Sequence, residues 1–137
     1  MPGEMVLDAS VVIKIFVDEE GSERARALAI SGSRFCAPDF VAVEIASVFL
    51  KRFRRGQMLR SYAKAAFDRA ISLFDELVPS QRLAARALEI AADHGTSAYD
   101  AMYVALAEAG GMRLATADLR LLQRVREARL AIEFWTP

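Results

Sequence analysis

Met5-Val6-Leu7-Asp8-Ala9-Ser10 is a short apolar run that stops on an acid, with Ser10 placed to cap a helix reaching Phe16. An apolar run of this kind suits a strand buried on both faces, with the chain entering a helix directly after it. The same alternation recurs along the chain. Residues 22–31 read as a helix, since Glu23, Arg24 and Arg26 alternate with Ala25, Ala27, Leu28 and Ile30, and Gly32 stops it. Residues 34–37 read as a strand, and Pro38 suits the first turn of a helix that runs to about Arg55 and closes at Gly56. A further helix is expected over 59–76 and a short strand at Leu77 and Val78. Ser80 then caps a helix to His94, with Leu83, Ala87, Leu88 and Ala91 on one face and Gly95 at its end. Residues 97–109 are helical and almost wholly apolar, which predicts a central, buried helix ended by Gly110 and Gly111. A strand over 112–115, a helix from 119 to about 126 and a strand over 131–134 complete the chain. Strands separated by helices imply an α/β domain with a parallel sheet covered on both faces.

The 137 residues are 54% hydrophobic and 26% charged, which is too apolar for a disordered chain and too evenly charged for a membrane protein. At this length one core suffices, and with no repeat, low-complexity tract or linker the chain reads as a single domain, 1–137. One cysteine, Cys36, and one histidine, His94, rule out an intrachain disulfide framework and a Cys/His zinc cluster, so any metal is held mainly by oxygen. The first ten residues carry two acids and no base, and Lys14 interrupts the apolar run that follows. That pattern is neither a signal peptide nor a spanning helix, so no membrane and a cytoplasmic location are expected. Net charge is zero, unlike a strongly basic DNA-binding module, yet residues 45–67 hold no acid and six cations: Lys51, Arg52, Arg54, Arg55, Arg60 and Lys64.

Four carboxylates stand out. Asp8 and Asp118 follow strands, where open α/β sheets bind ligands, although each taken alone is as well explained as a helix cap or turn residue. Glu44 is the only charge between Asp39 and Lys51 in a helix otherwise apolar but for Ser47. An unpaired carboxylate there costs several kcal/mol or protonates, unless it lies at an edge paired with an arginine. Asp100 also fits a capping box with Ser97. A shared hard cation explains all four at once, because Mg²⁺ or Mn²⁺ takes carboxylate oxygens and acids gathered without one repel and protonate.

Val6-Leu7-Asp8-Ala9-Ser10, the lone Glu44, Tyr99-Asp100-Ala101 opening the buried helix and Thr116-Ala117-Asp118 after a strand together resemble the PIN-domain nucleases, most closely their VapC-type toxin branch. The resemblance covers essentially the whole chain. It implies a three-layer α/β/α sandwich with strand order 3-2-1-4-5 and a Mg²⁺- or Mn²⁺-dependent endoribonuclease. It also assigns Asp8, Glu44, Asp100 and Asp118 to the family's acidic positions and Ser10 and Thr116 to its hydroxyl positions near the metal. The partners it implies are an RNA substrate, a cognate antitoxin protein and a second copy in a homodimer.

Phosphodiester hydrolysis needs an activated water and positive charge at the phosphate, which a metal on Asp8 and Asp100 can provide, with Glu44 and Asp118 completing its surroundings. An acidic centre repels RNA, so Lys51, Arg52, Arg54 and Arg55 are the candidates to collect phosphates, although cations at a helix C-terminus need no such role. A phosphoacceptor or phosphatase using Asp8 as nucleophile fits less well. Such folds want a second acid beside the first and a lysine near a late strand, whereas Ala9 and Ser10 follow Asp8 and the last lysine is Lys64. A non-catalytic RNA-binding or scaffolding member of the same fold is the alternative. Phe16, Phe49, Phe53, Phe67 and Phe74 read as core or interface, Trp135 as an anchor beside the last strand, His94 as a helix C-terminal residue and Cys36 as a small buried one.

Overall fold

A computed structural model describes residues 3–137 of the chain, so residues 1 and 2 of the expected domain lie outside the described residues. Strand β1, Glu4–Leu7, buries Met5, Val6 and Leu7 almost completely, as a central strand covered on both faces requires. After it come α1 (Ala9–Phe16), α2 (Ser22–Ala29), β2 (Arg34–Pro38), α3 (Val41–Arg54), α4 (Arg60–Ser72) and β3 (Glu76–Val78). The chain continues through α5 (Ser80–His94), α6 (Ala98–Gly110), β4 (Arg113–Ala115), α7 (Leu119–Glu127) and β5 (Phe134–Trp135). Every strand pairing is parallel, and the order is β3-β2-β1-β4-β5, as the family resemblance implied. Right-handed crossovers put α1–α4 on one face and α5–α7 on the other, giving three layers.

The sheet order reverses between β1 and β4. Val6 stands opposite Leu114 and Leu7 opposite Ala115, and the Asp8 N–H donates to the Ala115 carbonyl at 2.9 Å. The residues that leave β1 and β4 at their carboxyl ends therefore emerge side by side. Helix α6 packs on β1, β2 and β4. It buries Ala101, Tyr103, Val104, Ala105, Leu106 and Ala107, which explains why its sequence is apolar on nearly every side. Its far end closes at Gly111, whose φ of 59° is the left-handed cap conformation that glycine adopts without a side-chain clash.

Several boundaries differ from the sequence reading. Pro38 ends β2 rather than opening a helix: it stands opposite Val78 of β3 and lies past Cys36, the last β2 residue paired with β1, so its missing N–H costs the β1 ladder nothing. Helix α4 stops at Ser72, not Glu76. The Asp75 carboxylate accepts the Phe35 N–H at 2.8 Å and Glu76 joins β3, so pairing with β2 overrides helical propensity there. Pro79 occupies the N-cap position of α5, and the hydroxyl of Ser80, expected as that cap, donates to Asp39 instead. The last strand is Phe134–Trp135, later and shorter than the expected 131–134, and Trp135 lies within it with the Arg24 guanidinium 5.6 Å from its ring centre. Ser10 sits inside the first turn of α1, whose N-cap position belongs to Asp8.

Candidate functional site

A cleft of about 730 Å³ opens at the carboxyl ends of β1 and β4, lined by Asp8, Ser10, Glu44, Tyr99, Asp100 and Asp118 among others. The four acids come from four separate segments: the turn after β1, the middle of α3, the first turn of α6 and the turn after β4. Phe40, Val43 and Tyr99 form an apolar wall beside them. Tyr99 is 63% exposed, and its ring meets that of Phe40 edge to face at 5.3 Å. No lysine or arginine is among the lining residues.

Asp8 holds the N-cap position of α1 but makes no cap bond with its side chain. Its Oδ2 instead accepts the Thr116 hydroxyl at 2.7 Å and the Ser10 hydroxyl at 2.9 Å. Ser10 Oγ in turn accepts the Ala117 N–H at 3.0 Å, and Thr116 Oγ1 accepts the Asp118 N–H at 3.0 Å. These hydroxyls lock the two turns together. Burial pushes the Asp8 carboxyl above its ordinary pKa, the Thr116 and Ser10 bonds act against that rise, and the charge of Asp100 adds to it.

Glu44 is half-buried, and its partner is not an arginine: Tyr103, on α6, donates its O–H to Glu44 Oε1. Burial raises the Glu44 carboxyl, the Tyr103 bond lowers it, and Asp8 and Asp100 raise it again. Asp100 does take part in the expected cap, its N–H donating to Ser97 Oγ at 3.1 Å, while its side chain still lines the cleft. Burial and then the Asp118 charge raise its carboxyl, with the Ser97 side chain opposing them. Asp118 also serves both readings at once. Its Oδ1 accepts the Arg120 and Leu121 N–H groups at 3.0 and 3.2 Å, capping α7, and the residue borders the cleft.

The donor set therefore fits a hard divalent cation in kind: carboxylates and hydroxyls only, with acids that raise one another's pKa. As the side chains stand, no three acids, histidines or cysteines among the described residues are grouped tightly enough to hold an ion. The four acids share one cleft without converging on one point.

The basic residues lie elsewhere. Lys51, Arg52, Arg54 and Arg55 follow Glu44 along α3 and past its end, so Lys51 is about 10 Å further along the axis at 1.5 Å per residue. Arg52 pairs with Glu19 at 3.3 Å, and Arg54, Arg60 and Lys64 border a separate apolar groove between α3 and α4 that includes Phe53. Tyr103 was missed from sequence because a tyrosine in an apolar helix reads as core, and it is core. Only its hydroxyl faces the acids.

A family model for the PIN domain matches residues 5–128. Ribonuclease VapC3 of Pyrobaculum aerophilum is 32% identical over 123 residues, which cover 88% of this chain and 94% of that protein. The crystal structure of VapBC2 from Rickettsia felis bound to a DNA fragment from its promoter matches with a TM-score of 0.67 at 10% identity, covering 98% of both chains. A toxin–antitoxin complex from Klebsiella pneumoniae matches with a TM-score of 0.57 at 17% identity, over 83% of this chain and 86% of that one. At such identities the two structures speak for a common fold.

Proposed function

The chain belongs to the PIN domain family, and from that premise we propose that it is an endoribonuclease that uses Mg²⁺ or Mn²⁺ at Asp8, Glu44, Asp100 and Asp118 to hydrolyse RNA phosphodiester bonds. The observation that carries this reading is the meeting of these four acids, from four segments, in one cleft with no lysine or arginine among its described lining residues. The 32% identity to a protein named as a ribonuclease supports the same chemistry.

Asp8 and Asp100 would be the main holders of the cation, with Glu44 and Asp118 beside them. A divalent ion there supplies a water of lowered pKa and positive charge for the phosphoryl oxygens. The chain's own residues do the rest. Thr116 and Ser10 hold Asp8 through its Oδ2, and the residue lines the cleft. Tyr99 offers an exposed ring face on which an unpaired base can stack. Lys51, Arg54 and Arg55, exposed beyond the cleft, are placed to meet phosphates further along the strand rather than the one being cut.

The relatives' names extend the reading to biology. We take the protein to be the toxin of a toxin–antitoxin pair, held in check by a small antitoxin, acting as a homodimer in the cytoplasm, where its RNA substrate is met. No helix among the described residues is long and apolar enough to cross a membrane.

The test is incubation of structured RNA with the purified protein in Mn²⁺ or Mg²⁺ and in chelator, beside Asp8→Asn and Asp100→Asn. Cleavage that needs the metal and falls at least about 100-fold in both variants is the expected result. RNA bound but left intact in every arm would identify a non-catalytic RNA-binding member of the fold instead.

A further inference from the structure

Helix α6 presents Asp100 and Tyr103 one turn apart, so both side chains lie on the same face. Asp100 reaches the cleft directly. Tyr103 is 1% exposed and reaches it only through its hydroxyl, which donates to Glu44 Oε1 on α3. The ring is fixed by edge-to-face contact with Phe40 at 5.6 Å. Among the described residues no lysine or arginine bonds Glu44, so the phenol is the group that sets which way this carboxylate turns.

We propose that Tyr103 is a positioning residue of the metal site: by holding Glu44 Oε1 it turns Oε2 toward the cation and so links Asp100 and Glu44, on two different helices, into one binding unit. The proposal rests on the metal-site reading of the cleft. The hydroxyl is buried with its ring and donates to Glu44 Oε1, so the carboxylate is held from α6 rather than from its own helix. Ligating carboxylates held by such hydrogen bonds depend on them for geometry, which is why outer partners of a metal matter to affinity.

The test is Mn²⁺ titration followed by electron paramagnetic resonance on the wild type, Tyr103→Phe, Glu44→Gln and the double variant, with circular dichroism as the check on folding. Phenylalanine keeps the ring and its packing and removes only the donor. Tyr103→Phe should stay folded and bind Mn²⁺ about 10-fold more weakly. The double variant should bind no more weakly than Glu44→Gln alone, because the phenol acts only through that carboxylate. Equal Mn²⁺ affinity in Tyr103→Phe and the wild type would overturn the proposal, as would a further loss when Tyr103→Phe is added to Glu44→Gln. A wild type that takes up no Mn²⁺ overturns the reading of the cleft itself, and this proposal with it.

Discussion

Asp8 is only 8% exposed and has hydroxyls, not cations, for partners, and Asp100 has the charge of Asp118 beside it. A carboxyl whose pKa is raised by folding binds its proton more tightly in the native state. Its contribution to stability is therefore present below the ordinary carboxylate pKa and is lost as pH rises through the raised native value. In chelator at neutral pH, Asp100→Asn should accordingly melt at the same temperature as the wild type or higher, as scanning calorimetry can show. Added Mn²⁺ reverses the order: at one hundred times its dissociation constant an ion stabilises the wild type by about 2.7 kcal/mol, and the variant gains less. A variant that melts well below the wild type in chelator would show that Asp100 is structural rather than strained. Cys36 supplies a second residue-level outcome. Burial, followed by the charges of Glu4, Glu76 and Asp75, pushes its thiol up to about 12, so at pH 8.5 it is not a thiolate. Iodoacetamide should leave the native protein unlabelled by mass spectrometry and alkylate it once in denaturant.

Helix termini are where two explanations of one residue can be separated. Asp118 caps α7 with one oxygen and borders the cleft, and asparagine can keep the cap while lacking the charge. Asp118→Asn should therefore unfold at nearly the wild-type denaturant concentration yet bind Mn²⁺ more weakly, whereas Asp118→Ala should also lose about 1 kcal/mol of stability. If Asp118→Asn binds Mn²⁺ like the wild type, the residue is a cap and nothing more. The elements themselves were largely readable: the periodicity of 80–94 and the apolar run of 97–109 became α5 and α6 with the expected glycine ends. What failed was local chemistry that depends on a distant partner. Nothing near Pro38 announces that its neighbour will be Val78, and nothing near Ser80 announces Asp39.

Across the whole molecule, the order 3-2-1-4-5 matters because it makes β1 and β4 neighbours and opens the cleft where the strand order reverses. Thr116 thereby donates to Asp8 across 108 positions of sequence. The same architecture keeps the positive charge of α3 away from the acids, so binding and cutting should be separable. Replacing Lys51, Arg54 and Arg55 by glutamine should weaken RNA binding and flatten its salt dependence by about 0.7 log units per lost phosphate contact, with turnover at saturating RNA unchanged. Fluorescence anisotropy over a salt series measures this, and an unchanged slope would leave those residues without a part in RNA binding.

Composition, hydrophobic period and turn residues determined the class of fold, the number of strands and the identity of four suspect acids, because burial of apolar faces is a local, averaged demand that sequence states many times over. Which of those acids turned toward which neighbour was a different matter. Asp100 could cap or coordinate and does line the cleft while capped; Glu44 found a tyrosine rather than an arginine; Arg54 borders a separate groove. Hydrogen-bond partners are chosen once, at one distance and angle, by elements brought together only when the sheet closes, and that choice belongs to the tertiary structure alone.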